Sequence, residues 1–120
     1  MPTILHITRR TDWEAALASG SYAPDSLRTQ GFIHCSRPEQ VIPVANFLFK
    51  GQKGLVLLCI ETDRVKSETR YENLEGGTKL FPHVYGALGI EAVVSIFDFP
   101  PKDDGAFELP QDVTLMEKPR

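Results

Sequence analysis

Cysteine is scarce in this chain: there are two, Cys35 and Cys59, each in an apolar, strand-like run and without CxxC spacing. That pattern suggests neither a disulfide framework nor a thiolate zinc knuckle, and it suits two small buried thiols in a reducing compartment. No stretch approaches the twenty apolar residues of a membrane-spanning helix, and Met1-Pro2 runs straight into a short apolar segment without a basic n-region or a long apolar h-region. A cytoplasmic protein is expected, neither secreted nor inserted in a membrane. A cationic excess is also missing. Thirteen Lys and Arg stand against sixteen Asp and Glu, a formal charge of −3, so no broad field is present to grip a nucleic-acid backbone and duplex DNA is not an expected partner.

Several catalytic signatures are absent as well. There is no HExxH, no GxSxG elbow and no Gly-rich phosphate loop. The three histidines are dispersed, and His34 and Cys35 point to opposite faces of a regular strand, so no metal is expected. Neither cysteine has an evident activating neighbour.

What remains fits one domain. At 120 residues the chain can close a single hydrophobic core, and 42% hydrophobic with 24% charged residues is the balance of a globular protein rather than a disordered one. The one shift in composition follows Phe99, at Pro100-Pro101-Lys102-Asp103-Asp104-Gly105. Residues 1–99 are read as the domain, and 100–120 as a surface tail packed on it or trailing from it.

Periodicity places the elements. Thr3 to Thr8 alternates as a strand, with Ile4, His6 and Thr8 on one face and Leu5 and Ile7 on the other. Thr11-Asp12-Trp13-Glu14 has the form of a capping box, and the helix it opens ends at Gly20 with Trp13, Ala16 and Leu17 as its apolar stripe. Ser21 to Gln30 reads as a loop with at most one helical turn. Gly31 to Ser36 is the second strand, with Phe32, His34 and Ser36 on one face and Ile33 and Cys35 on the other. Ser36-Arg37-Pro38-Glu39 repeats the capping form ahead of a helix marked by Val41, Val44, Ala45 and Leu48, which Pro43 should kink or delay. Leu55 to Ile60 is nearly all apolar and suits a central strand buried on both faces. Arg70-Tyr71-Glu72 reads as a short half-exposed strand, Glu75-Gly76-Gly77 as a turn, Phe81 to Gly89 as a loop, and Ala92 to Phe99 as a last strand.

Each histidine sits beside other groups able to position an anion or a proton. His6 shares a strand face with Thr8, and His34 with Ser36, so pairing of the two strands would gather two imidazoles and two hydroxyls in one patch. Neutral imidazole offers one donor and one acceptor and exchanges a proton near neutral pH, which suits ribose hydroxyls or acid and base work. The same residues also suit a plainer role, as hydrogen-bonded core histidines and a helix-capping serine. In Phe81-Pro82-His83-Val84-Tyr85-Gly86 a stiffening proline, an aromatic platform and a glycine surround His83, and Tyr85 is placed to stack on a base or bond a phosphate. Arg70 and Glu72 share a face, as a surface ion pair or, for Glu72, as the carboxylate of a site.

The order LHIT (5–8), DWEAA (12–16), GFIHCS (31–36), EQVIPVANFLF (39–49), LVLLCIETD (55–63), RYE (70–72) and FPHVYG (81–86) resembles the bacterial family called domain of unknown function 952. The likeness covers almost the whole chain up to about Phe99. It implies an α+β fold, a small split β-sheet with flanking helices like that of ADP-ribosyltransferases, nearest the NAD-dependent RNA 2′-phosphotransferases. By that resemblance His6 and His34 match the positions that contact the ribose and support the nicotinamide half of NAD. Glu72, Tyr85 and Ile96 all fit the third position by order. An RNA substrate would call on Arg9, Arg10, Arg37 and Arg70.

The expected function is therefore a transferase-like enzyme taking NAD or a related ADP-ribosyl nucleotide. His6, His34 and Glu72 are its catalytic candidates, and Thr8, Ser36, His83 and Tyr85 join the two histidines as binding candidates. A non-catalytic nucleotide- or metabolite-binding module is the alternative. A metal-free phosphoester hydrolase using His6 and His34 as acid and base is a third possibility.

Overall fold

The structure is a computed structural model that describes residues 3–73 and 79–111. Leu55 to Ile60 is fully buried and lies within β4 (Leu55–Glu61), which pairs antiparallel on one side with β1 (Thr3–Arg9) and on the other with β8 (Val93–Asp98). A strand in that position has both faces covered, which is why its sequence is a continuous apolar run instead of an alternating one. Val56, Leu58 and Ile60 enter one core with Ile4, Trp13, Ile33 and Val84, while Leu55, Leu57 and Cys59 enter a second with Leu5, Val41, Phe99 and Phe107. The two cores lie on opposite faces of one sheet.

A second antiparallel sheet has the order β3 (Ile33–His34), β6 (Phe81–Tyr85), β5 (Glu68–Glu72), and a two-residue ladder joins β2 (Ser21–Tyr22) to β7 (Leu88–Gly89). Three α-helices, α1 (Arg10–Ser19), α2 (Asp25–Thr29) and α3 (Pro38–Leu48), and two single 3-10 turns, Thr62–Arg64 and Ile90–Ala92, accompany the strands among the described residues. The chain is thus a small α+β fold built on split antiparallel sheets. No helix among the described residues is long and apolar enough to cross a membrane.

Several elements match their sequence patterns. α1 ends at Gly20, whose φ of +94° and N–H bond to the Ala16 carbonyl form a left-handed C-cap open to glycine without penalty. Trp13 is buried, and Ser21 to Gln30, expected as a loop with at most one helical turn, holds the short helix α2 but also the strand β2 that the sequence pattern does not show. The turn expected at Glu75-Gly76-Gly77 lies outside the described residues.

Other expectations are corrected. Phe81 to Gly89 is not a loop: it contains β6, the middle strand of its sheet, and then β7. Pro82 misleads because a proline usually signals a break, yet here it occupies the place where a ladder ends. Cys35 N–H donates to the Pro82 carbonyl at 3.1 Å, and the return bond of that pair is the one a proline cannot make. β3 is accordingly confined to Ile33 and His34 instead of running from Gly31 to Ser36.

Neither expected side-chain cap is present. α1 starts at Arg10, with Arg9 as its N-cap residue and no side-chain cap bond, so Thr11 falls inside the first turn. At α3 the N-cap residue is Arg37, whose backbone N–H donates to Gln40 Oε1 at 2.9 Å, and Ser36 is engaged in the sheet instead. The helix begins with Pro38, a position that has no intrahelical N–H bond to lose, and continues through Pro43.

Residues past Phe99 add to the second core. Phe107 is 3% exposed and stacks on Phe99 with centroids 4.8 Å apart, while its N–H donates to Asn46 Oδ1 of α3 at 2.8 Å. Phe107→Ala should therefore lower unfolding free energy by about 3 to 5 kcal/mol, measured by denaturant titration. Val94→Ala, on the half-exposed face of β8, should stay within about 0.5 kcal/mol in the same assay.

Candidate functional site

The two sheets meet at one pair of residues. Leu5 N–H donates to the Ser36 carbonyl at 2.7 Å, and Ser36 N–H donates back to Leu5 at 2.8 Å. Leu5 thereby turns its backbone away from β4, and alternation turns that of Ile7 the same way. No strand pairs with β1 on that edge at Ile7 among the described residues. The sheets part there, and a cavity of about 640 Å³ opens between them.

Polar groups on the wall include His6, Thr8 and Tyr22, His34 and Ser36, and His83, together with the Arg9–Asp12 ion pair, Ser26 and Gln52. The outer part is apolar, with Val44, Phe47, Leu48 and Phe49 of α3 and the residue after it. Phe47 is 85% exposed, so this side of the mouth is open to solvent.

His6 is buried, and both ring nitrogens are engaged. Nδ1 lies 2.5 Å from the His34 carbonyl oxygen and Nε2 lies 2.7 Å from the Tyr22 hydroxyl. A carbonyl only accepts, so Nδ1 carries a proton. Burial pushes the ring's pKa down to about 4; the nearby charge of His34 adds to this, and the bond to the His34 carbonyl opposes it. At neutral pH Nε2 is thus a bare acceptor of a hydrogen bond donated by the Tyr22 hydroxyl. The Tyr22 hydroxyl is also 2.9 Å from Thr8 Oγ1, so with its own proton committed to His6 it accepts from Thr8. The result is a directed chain, Thr8 to Tyr22 to His6 to the His34 carbonyl. Burial also pushes the Tyr22 phenol up to about 12, which keeps it protonated in this chain.

His34 has the opposite character. Its side chain is exposed, and Nε2 lies 2.7 Å from Gln30 Oε1, to which it donates. Across the β3–β6 ladder it faces His83, with the two rings edge to face and 5.5 Å apart. Phe32 lies under both: its ring is 4.7 Å from His34 and stacks on His83 at 4.3 Å with planes 27° apart.

His83 is buried beside a carboxylate. Its Nδ1 is 3.0 Å from Glu72 Oε1, and the Tyr85 hydroxyl donates to the same oxygen at 2.6 Å. The bond from Tyr85, then that from His83, holds the Glu72 carboxyl below its usual range, and the same contact raises the Tyr85 phenol. Arg70 lies over the Tyr85 ring, 4.5 Å from its centroid, while two 2.9 Å contacts tie it to Glu68.

Five of the seven candidate residues therefore line one cavity: His6, Thr8, His34, Ser36 and His83. Glu72 and Tyr85 stand behind His83 and reach the cavity only through it. Ile96, the third option for the late position, is a half-exposed residue of β8 away from the cavity wall. Cys35 also lines the cavity, but burial pushes its thiol well above the usual range, which leaves it protonated. Sequence reasoning missed Tyr22, because the tyrosine arrives from a two-residue strand whose partner, Leu88, is 66 residues away. Its only signal was an apolar ring in a polar segment. No group of three or more His, Cys, Asp or Glu side chains among the described residues is arranged to hold a metal.

The depressed pKa of His6 makes a stability prediction. The unfolded ring takes a proton near pH 6.5 and the folded one only near 4, so stability present above pH 6.5 is lost as pH falls toward and below 4. The loss should be about 3 kcal/mol. Urea titrations from pH 7.5 to 4 should show that slope in the wild type and its removal in His6→Gln, the carboxylates contributing equally to both.

The family of proteins of unknown function DUF952 matches residues 7–96 of the chain. No curated protein matches it. Among solved structures, the crystal structure of protein CC0527 from Caulobacter crescentus is 33% identical, with a TM-score of 0.84, over 93% of this chain and 98% of that one. The solution NMR structure of CC0527 superposes with a TM-score of 0.77 over 96% of this chain and 99% of that one. On the extent of both likenesses, this chain belongs to the DUF952 family.

Proposed function

We propose that the cavity between the sheets is a nucleotide site, that its ligand is NAD or a related ADP-ribosyl compound, and that its activity is transferase-like. The split α+β architecture is, in this reading, of the ADP-ribosyltransferase-like kind. The observation that carries it is the convergence of His6, Thr8, His34, Ser36 and His83 on one cavity at the break between the two sheets. The imidazoles of His34 and His83 and the hydroxyl of Ser36 suit ribose hydroxyls, His6 orders the wall through its bonds to Tyr22 and the His34 carbonyl, and the apolar wall beside Phe47 and Phe49 suits a planar base. A volume of about 640 Å³ is in the range of small-molecule sites.

The chemistry this supports is departure of nicotinamide with an oxocarbenium-like ribose held by positioned dipoles, rather than attack by a protein nucleophile. The arginines favour a small nucleotide over an RNA strand. Arg9 pairs with Asp12, Arg10 with Asp98 and Arg70 with Glu68, while Arg37 lies over Tyr71, and only Arg9 of the four lines the cavity.

One observation favours a second reading, a non-catalytic binding module. Both nitrogens of His6 are occupied inside the protein, so this histidine has no free atom with which to take part in a reaction.

Calorimetric titration of NAD, ADP-ribose and nicotinamide into the protein tests the site. Micromolar binding should weaken about tenfold or more in His34→Ala, whose exposed ring can be removed without opening the core. Absence of binding by all three compounds would remove the nucleotide reading. Binding without nicotinamide release would favour the non-catalytic module.

A further inference from the structure

The ring of His83 is held by a carboxylate. Glu72 Oε1 receives two hydrogen bonds, from Tyr85 at 2.6 Å and from His83 Nδ1 at 3.0 Å. An ionised carboxylate only accepts, so the proton of a neutral His83 sits on Nδ1 and the lone pair on Nε2. No hydrogen bond of the described residues takes up Nε2. The stacked Phe32 ring fixes the imidazole plane, and the β6 strand, paired with Arg70 of β5 and His34 of β3 at this residue, fixes its backbone. Glu72 and Tyr85 do not line the cavity, whereas His83 does. Among the described residues, the charged or titratable groups around the ring are Glu72 and Arg70 from β5, His34 from β3 and Tyr85 from its own strand.

We propose that His83 is the proton-accepting residue of this cavity, that Glu72 and Tyr85 are its positioning residues, and that the second substrate is an acceptor bearing a hydroxyl group. This rests on the reading of the cavity as a site for an ADP-ribosyl compound. His83 Nε2 takes the acceptor's hydroxyl proton as the acceptor oxygen bonds to the ribosyl carbon. The bond from that carbon to the pyridinium nitrogen breaks, its electron pair stays with the nitrogen, and neutral nicotinamide leaves. The imidazolium then returns its proton to water. A carboxylate-held imidazole is the arrangement that such a base requires, because the carboxylate selects the tautomer and stabilises the ring once charged.

The first arm of the test needs no ligand. In 15N NMR spectra of the full chain near pH 8, His83 should show a protonated Nδ1 and a bare Nε2, and Glu72→Ala should shift it toward the Nε2–H tautomer. A wild-type ring protonated on Nε2 overturns the proposal. The second arm measures nicotinamide release from NAD in water and with added methanol as the hydroxyl acceptor. His83→Gln should lower kcat by about 100-fold or more, and Glu72→Ala by about tenfold or more, with KM changed less than about twofold. Equal losses in binding and turnover would mark both residues as structural and overturn the proposal. NAD that binds without any release by the wild type overturns it too while leaving the nucleotide site standing. NAD that does not bind removes that reading and, with it, the acceptor chemistry proposed for His83.

Discussion

Two backbone hydrogen bonds, from Leu5 to Ser36 and back, join the backbones of the two sheets at one pair of the described residues. Had the pairing continued along β1, the sheets would form one surface and leave no space between them. Had it been absent, the histidines of β1 and β3 would not be neighbours. A backbone N–H or C=O turned toward a gap must find a partner or water. The edge of β1 beyond Leu5 turns such groups toward the cavity, where a ligand can supply what a strand does not. The same point explains why β3 is so short: Cys35 bonds Pro82 once, Ser36 transfers to β1, and the chain then enters α3.

Burial separates the three histidines into different chemical kinds. His6 is taken out of water and fully hydrogen-bonded, which fixes it as neutral and as part of a chain of hydroxyls. His34 stands in solvent at the cavity wall, restrained by Gln30 and Phe32. His83 is buried like His6 but has Nδ1 against the Glu72 carboxylate, which can only accept a hydrogen bond. Identical side chains thus differ in their surroundings: His6 is opposed by a carbonyl and a phenol, His34 has the Gln30 amide oxygen among its partners, and His83 is opposed by a carboxylate.

Much of the fold was legible. The all-apolar run of β4 predicted a strand covered on both faces, and the alternation in Thr3 to Thr8 assigned Ile4 and Leu5 to different cores, as the packing has it. Local signals failed where a long-range partner overrode them. Pro82 and Gly86 suggested a loop, but β3 and β5 arrive on either side of Phe81 to Tyr85 and satisfy its backbone as a strand. Thr11 and Ser36 looked like helix caps, but Arg10 N–H bonds to the carbonyl of Gly54 and Ser36 to Leu5, so each helix starts where the sheet releases the chain.

The sequence by itself determined the α+β class, the central strand, the placing of His6 and Thr8 on one face of β1, and the family, because these depend on period and on local motif. Only the tertiary structure decided that Tyr22 bridges Thr8 and His6, that Glu72 answers to His83 instead of lining the cavity, and that the two sheets part after Leu5. Each of those facts depends on contacts between residues far apart in the chain. Neither period nor composition carries them, since they arise when whole strands choose their neighbours to satisfy buried backbone groups and apolar faces together.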